Sequence, residues 1–231
     1  MVDNNTWGEV YMLYKPGAPK YDPFTQQRIT VTDKANEIPI VSNDPDAQLM
    51  LAFQQGDSSA FESLLRRNYR NVLNFIYRFM GRRDIAEDLT HEVFLRVYQS
   101  ASDYEPRCRF RTWLYTIAKN LCLNELRRKS HRMQSLDDPG LQQGEPMPKA
   151  LPDSSLPPDE SLVRKERAAA VRAAIDELPE NQRLAVILRR YDDFSYEQIA
   201  ATLDTSEKAV KSLLSRAKEH LKKKLAPWVE K

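Results

Sequence analysis

Where the helix breakers fall constrains this chain more than any other feature. Of its 231 residues 14 are proline and only 6 are glycine, and the prolines cluster. The stretch HRMQSLDDPGLQQGEPMPKALPDSSLPPDE, residues 131–160, holds six prolines and two glycines without a sustained apolar period, and it reads as a flexible linker. Helical patterns flank it on both sides. Before it they run over about Pro45 to Gln55, about Ser58 to Met80, Asp84 to Gln99, and Arg111 to Lys129. After it they run over Ser161 to Leu178, Pro179 to Tyr191, Ser195 to Leu203, and about Ser206 to Leu225. Gly81 suits a helix C-terminal stop, Pro179 suits a first helical position, and Ser195 with Gln198 forms a capping box. No stretch reads as a strand. The expected fold is all-α: two small helical domains, 45–129 and 161–228, on a tether over 130–160.

Residues 1–44 differ. YMLYKPGAPKYDPF is rich in tyrosine and proline without a helical period, and the segment reads as a disordered arm whose aromatics leave a docking role open. The first twenty residues lack a basic start and an apolar stretch, so no secretory signal is expected. No apolar run approaches the ~20 residues of a membrane span. Cys108 and Cys122 make no disulfide framework and point to a reducing, cytoplasmic setting.

Net charge is only +2, but it is unevenly divided. Lys+Arg against Asp+Glu are 14 and 10 over residues 45–129, 2 and 6 over 130–160, and 15 and 11 over 161–231. Two basic segments separated by an acidic one fit a polyanion-binding protein. Catalytic signatures are missing. His91-Glu92 begins like a zinc-protease HExxH, but Leu95 stands where the second ligand belongs. Neither a glycine-rich phosphate loop nor a G-x-S-x-G turn is present. The chain is therefore expected not to be an enzyme and to carry neither cofactor nor metal.

Two stretches carry the functional signal. On an ideal helix RTWLYTIAKNLCLNELRRK, residues 111–129, puts Leu114, Ile117, Ala118, Leu121 and Cys122 on one apolar stripe. Trp113, Thr116, Asn120, Leu123 and Arg127 form a separate row that mixes a stacking surface, hydrogen-bonding groups and a charge. In SYEQIAATLDTSEKAVKSLLSRAKEHL, Ile199, Ala200 and Leu203 precede a polar turn at Asp204–Ser206, and Val210, Leu214 and Ala217 follow it. That is helix-turn-helix spacing. It exposes Lys208, Lys211, Ser212, Ser215, Arg216 and Lys218, a set suited to phosphates and base edges.

With DIAEDLTHEVFLRVYQ, FRTWLYTIAKNLCLNELRR, LPENQRLAVILRRYDDFSYEQIAATL and SEKAVKSLLSRAKEHL in that order, the chain resembles bacterial RNA polymerase sigma factors. The resemblance is to the compact two-domain extracytoplasmic-function type, group four. It covers about Asp46–Arg128 and Leu162–Leu225. It implies a region 2 bundle that binds core polymerase and opens the minus-ten element, and a region 4 helix-turn-helix that reads the minus-thirty-five element. The implied partners are the clamp helices of the largest polymerase subunit, the flap of the second largest, promoter DNA and an anti-sigma factor.

The resemblance makes DIAEDLTHEVFLRVY the clamp-binding helix. Ile85, Leu89, Val93 and Val97 are expected to pack inward, leaving Asp88, His91, Glu92, Leu95 and Arg96 for polymerase. The 111–129 helix and the loop before it are implied to handle the separated non-template strand. This needs a π-surface, base-edge hydrogen bonding and cations. The implied contacts are Tyr104, Arg107, Arg109, Phe110, Trp113, Thr116, Lys119, Asn120 and Arg127. Asn120 matches the family position that meets a flipped base, and Trp113 is alternatively core. The minus-thirty-five contacts are Lys208, Lys211, Ser212, Ser215 and Arg216. The rival reading is a stand-alone helix-turn-helix regulator that binds duplex operators without polymerase.

Overall fold

The computed structural model describes residues 44–135 and 158–229, with side-chain environments for 44–130 and 166–228. All of them lie within one compact unit, Asn36–Lys231. The arm at 1–43 and residues 136–157 of the expected linker lie outside the described residues.

Eight helices and one short 3₁₀ turn make up the described residues, with no strand among them. Helices α1 (Pro45–Gln54), α2 (Ser58–Met80), α3 (Arg83–Gln99) and α4 (Phe110–Ser135) form the first bundle, with the 3₁₀ turn Ala101–Asp103 leading towards α4. Helices α5 (Pro158–Asp176), α6 (Glu180–Arg190), α7 (Tyr196–Leu203) and α8 (Glu207–Val229) form the second. The chain is helical past Lys129 to Ser135 and again from Pro158, so the helices reach into the stretch read as linker. No helix breaker lies between Lys129 and Pro139, and Pro158 sits at a first helical position, where its missing N–H is no loss.

Local chemistry sets the boundaries. Gly81 ends α2 in the left-handed region at φ 73, and its N–H donates to Tyr77 O. The Ser195–Gln198 capping box is formed at α7. Pro179 stands one place earlier than expected, at the N-cap of α6. One carboxylate starts two helices. Asp44 Oδ1 accepts from Asp46 N at 3.1 Å and Ala47 N at 3.3 Å, while its Oδ2 accepts from Phe110 N at 2.7 Å. A cap at α1 is thereby also a long-range tie to the first turn of α4.

The cores of the two bundles are continuous. Phe75, Ile76 and Phe79 of α2, Val93 and Val97 of α3, and Leu114, Tyr115 and Ala118 of α4 share one buried cluster with Leu184, Ile187 and Leu188 of α6, Phe194, and Ile199 of α7. Helix α6 shows how. Residues Leu184 to Leu188 are buried without interruption, because the helix is covered on two sides. Val186 belongs to a second cluster with Leu178 and Ala217, while its neighbours join the shared core. Helices α4 and α2 pack against α7 and α6 respectively.

Candidate nucleic-acid interface

Helix α8 is built to present one face. Asp204 ends α7 in the left-handed region at φ 52, a conformation that Asp tolerates better than most residues. Ser206 Oγ then accepts from Ala209 N at 3.2 Å and starts α8. Val210 and Ala217 are fully buried and Leu214 packs beside them. This holds the helix in one rotation. Lys208, Lys211, Ser212, Ser215, Arg216 and Lys218 are all exposed on the remaining surface.

That surface is wider than the sequence suggested. Tyr196, at the start of α7, has the guanidinium of Arg189 5.3 Å from its ring centre and Lys211 Nζ 6.0 Å away. Arg189 Nη1 also donates to Phe194 O at 2.9 Å. Arg189 and Arg190 are exposed beside the helix-turn-helix and are phosphate-contact candidates that sequence reading missed. The available signal was the Arg-Arg pair in the last turn of α6.

Helix α3 presents a different surface. Val93 and Val97 are buried, Ile85 and Leu89 are half-buried, and Ala86, Thr90 and Phe94 complete the inner face. Asp88, His91 and Leu95 are exposed, and Glu92 and Arg96 are half-exposed and paired at 2.9 Å. Leu95, 40% exposed, is an apolar residue amid charges.

Helix α4 has three faces at about 100° per residue. Phe110, Leu114, Ile117 and Leu121 fall within about 60° of one another and pack in the first bundle. Trp113, Thr116, Asn120, Leu123 and Arg127 fall within about 80° on a second face. Of these, Arg127 is exposed and the others are half-buried. Thr116 Oγ1 is engaged with Thr112 O at 2.8 Å. Arg111, Tyr115, Lys119 and Cys122 form the third face, and it looks towards the second bundle. Tyr115 Oη donates to Asp192 Oδ1 at 2.6 Å, and Arg111 Nη2 donates to Asp192 O at 3.2 Å.

Three residues expected at the single strand are placed otherwise. Phe110 is fully buried and Tyr104 is 5% exposed. Their rings lie 5.6 Å and 5.0 Å from that of Trp113 and 6.0 Å from each other. An aromatic triad of this spacing is core, so Tyr104 and Phe110 are corrected from base contacts to the packing that supports Trp113. Trp113 keeps a half-open edge. Lys119 is only 9% exposed. Burial lowers its pKa and the charge of Asp204 opposes that shift, so in this arrangement it faces the turn of the helix-turn-helix. Arg109 is exposed, and Arg107 is exposed and paired with Glu105 at 2.6 Å.

Among the described residues no group of three His, Cys, Asp or Glu side chains is placed to hold a metal. No described helix is long and apolar enough to cross a membrane.

Comparisons with known proteins cover both bundles. The family model for Sigma-70 region 2 matches residues 64–132, and that for Sigma-70, region 4 matches 168–221. The RNA polymerase sigma-H factor of Pseudomonas aeruginosa is 32% identical over 192 residues, covering 81% of this chain and 97% of that protein. The ECF RNA polymerase sigma-E factor of Escherichia coli is 31% identical over 187 residues, covering 80% and 97%. Among solved structures, the sigma factor RpoE in complex with the anti-sigma factor NepR, from Bartonella quintana, superposes with a TM-score of 0.59. It does so at 24% identity over 72% of this chain and 96% of that one. CnrH in complex with the cytosolic domain of CnrY gives 0.57 at 22% identity, over 80% and 99%. At these identities the two structures speak to the fold.

Proposed function

The chain belongs to the extracytoplasmic-function sigma factors, and from that membership we propose a division of labour among its helices. The protein binds core RNA polymerase and directs promoter-specific initiation in the cytoplasm without catalysis of its own. The first bundle, 45–129, docks on the clamp helices through Asp88, His91, Glu92, Leu95 and Arg96 of α3. It holds the opened non-template strand of the minus-ten element with Trp113, Thr116, Asn120 and Arg127, assisted by Arg107 and Arg109. The second bundle, 161–228, reads the minus-thirty-five duplex through Lys208, Lys211, Ser212, Ser215 and Arg216, and contacts the flap. An anti-sigma factor is a further partner.

The observation that carries this reading is the free outer face of α8 over a fully buried inner one at Val210 and Ala217. A helix fixed in rotation with cations and hydroxyls outward suits entry into a major groove. Two further features favour a sigma factor over a stand-alone regulator. One is the α3 surface, with an exposed leucine among charges. The other is the mixed row on α4, which a duplex-operator binder does not need.

The test is run-off transcription with purified core polymerase. A specific transcript that depends on adding this chain is the expected result. Tight operator binding by the free chain with no stimulation of transcription would establish the stand-alone regulator instead.

A further inference from the structure

No residue of α1 carries a role in the proposed function, yet this helix braces the segment that leads into α4. Its N-cap and its last residue both reach across to that segment. At one end Gln54 Nε2 donates to Ser102 O at 3.0 Å and to Tyr104 O at 3.3 Å. At the other Asp44 Oδ2 accepts from Phe110 N at 2.7 Å, while Oδ1 caps α1 itself. Ten residues of helix separate the two ties, a rod of about 15 Å. The ties hold the main chain of Tyr104 and Phe110. These are the two residues whose rings lie 5.0 Å and 5.6 Å from that of Trp113.

Between the ties the chain has little else to fix it. Ala101 and Tyr104 are buried, but Glu105, Arg107 and Arg109 are exposed. Arg107 bonds within the span, its N–H to Glu105 O at 2.8 Å and its guanidinium to the Glu105 carboxylate at 2.6 Å. The buried Tyr104 hydroxyl has no hydrogen-bond partner among the described residues, so it packs without anchoring. Among the described residues, the side chains that hydrogen-bond the span from another element are those of Asp44 and Gln54.

Reading a base edge asks more of this span than folding does. Donors and acceptors must be held within about 0.5 Å of their places, because a hydrogen bond weakens steeply once its distance and angle drift. In the proposed function Trp113 stacks on a base of the opened strand, and Arg107 and Arg109 of the span assist. Where those groups stand against the Trp113 ring depends on where Tyr104 and Phe110 are fixed. We infer that Asp44 and Gln54 are positioning residues for base discrimination at the minus-ten element, acting through the 102–110 span without touching DNA. The inference rests on the proposed function for what is selected, and on the two ties for how.

The test uses the full chain with core polymerase on promoters that carry each of the four bases at every minus-ten position. Gln54→Met keeps length and helix propensity at an exposed site and removes both donors. Asp44→Ser keeps one oxygen to cap α1 but is too short to reach Phe110 as well. Asp57→Ala is the control. Asp57 caps α2 by accepting from Ser59 N at 3.0 Å and makes no hydrogen bond to the span among the described residues. Its loss weakens the bundle without freeing the span. The ratio of transcript from the preferred base to that from the next should fall by about 5- to 10-fold at one minus-ten position in Gln54→Met and Asp44→Ser. Core binding and minus-thirty-five dependence should be kept, and Asp57→Ala should hold the parent's ratio. Amide hydrogen exchange of the free proteins should quicken over 102–110 in the first two variants and not in the control. If both variants keep the parent's ratios, or if Asp57→Ala loses discrimination as they do, the positioning role is wrong. Quicker exchange over the span in variants of a parent that gives no core-dependent transcript would confirm the ties but overturn the promoter reading, and with it the selective role.

Discussion

The two helices proposed as readers, α4 and α8, are of similar composition but opposite exposure. Helix α8 buries one face and leaves a continuous cationic and hydroxyl face to solvent. Helix α4 buries two faces, one in its own bundle and one against the other bundle, and shows only a half-open row between them. A reader of duplex DNA can be ready-made, because the groove is already there. A reader of separated strands acts only once a strand has been opened, and the row on α4 lies half-buried beside the second bundle.

The largest effect expected from breaking this contrast is on stability. Leu114→Ala opens a cavity on the fully buried inner face of α4 and should cost about 2–5 kcal/mol. The half-buried Leu213 of α8, truncated the same way, should cost less, near or below the lower end of that range. Urea unfolding followed by circular dichroism measures both. Equal losses would mean that α4 is no more deeply enclosed than α8.

Next come the readers themselves. Lys211→Ala and Arg216→Ala should each weaken minus-thirty-five recognition by about 1–3 kcal/mol if the residue reads a base, with no loss of melting temperature. A residue that only binds phosphate should weaken all sequences alike and lower the salt slope by about 1. Footprinting across a salt series separates the two. Parent-like footprints from both variants would show that the α8 face is misassigned.

Asn120→Ala should act at the lower end of the same range, about 1 kcal/mol of discrimination at one base, and in a different assay. Asn120 lies on the half-open row, so truncation leaves no core cavity. Folding and minus-thirty-five binding should be unchanged while promoter opening falls. A template already mismatched across the minus-ten element should restore most of the loss, because the unpairing cost is gone. Permanganate reactivity on paired and mismatched templates reads this directly. Equal opening of the paired template by parent and variant would leave Asn120 without a reading role.

How far these roles were legible in the sequence follows the same division. The helices, the Gly81 stop and the Ser195–Gln198 capping box are local signals, and the structure has them within a few residues of their expected places. The buried stripe of α8 was legible for the same reason, since Val210, Leu214 and Ala217 share a period. The third face of α4 was not. Arg111 and Tyr115 look like a solvated edge, and their partner, Asp192, is far along the chain; Lys119, read as a strand contact, is likewise closed off near the distant Asp204. Tyr104 and Phe110 misled because aromatics in a loop before a strand-binding helix suit base stacking. Their pairing with Trp113 is a tertiary contact that the loop sequence does not encode. Asp44 was read as the end of the arm. Its Asp-Pro start is a cap signal for α1, but its bond to Phe110 N could come only from the fold.

The smallest expected effect is a pH dependence of the contact between the two bundles, which is closed in this structure, and its sign follows from the surroundings of Asp192. Burial pushes this carboxyl above its ordinary range. The Tyr115 hydrogen bond and the charges of Arg111 on α4 and Arg78 on α2 oppose that shift, and neighbouring Asp193 adds to it. The net direction is upward. When the bundles part, the group meets water and its pKa falls back towards the ordinary carboxylate value. The closed form therefore holds the proton more tightly than the open one, and protonation favours closing. This contribution is complete below the open-form pKa and is lost as pH rises through the raised closed-form pKa. Lowering the pH from neutral should thus shrink the radius of gyration of the parent by shifting the ratio a few-fold. Asp192→Asn, which keeps an acceptor for Tyr115 and has no proton to lose, should be compact at neutral pH and indifferent to the change. Helicity followed in parallel excludes acid unfolding as the cause of any change in size. A parent whose dimensions respond to pH in the same way as Asp192→Asn would show that the titrating group lies elsewhere.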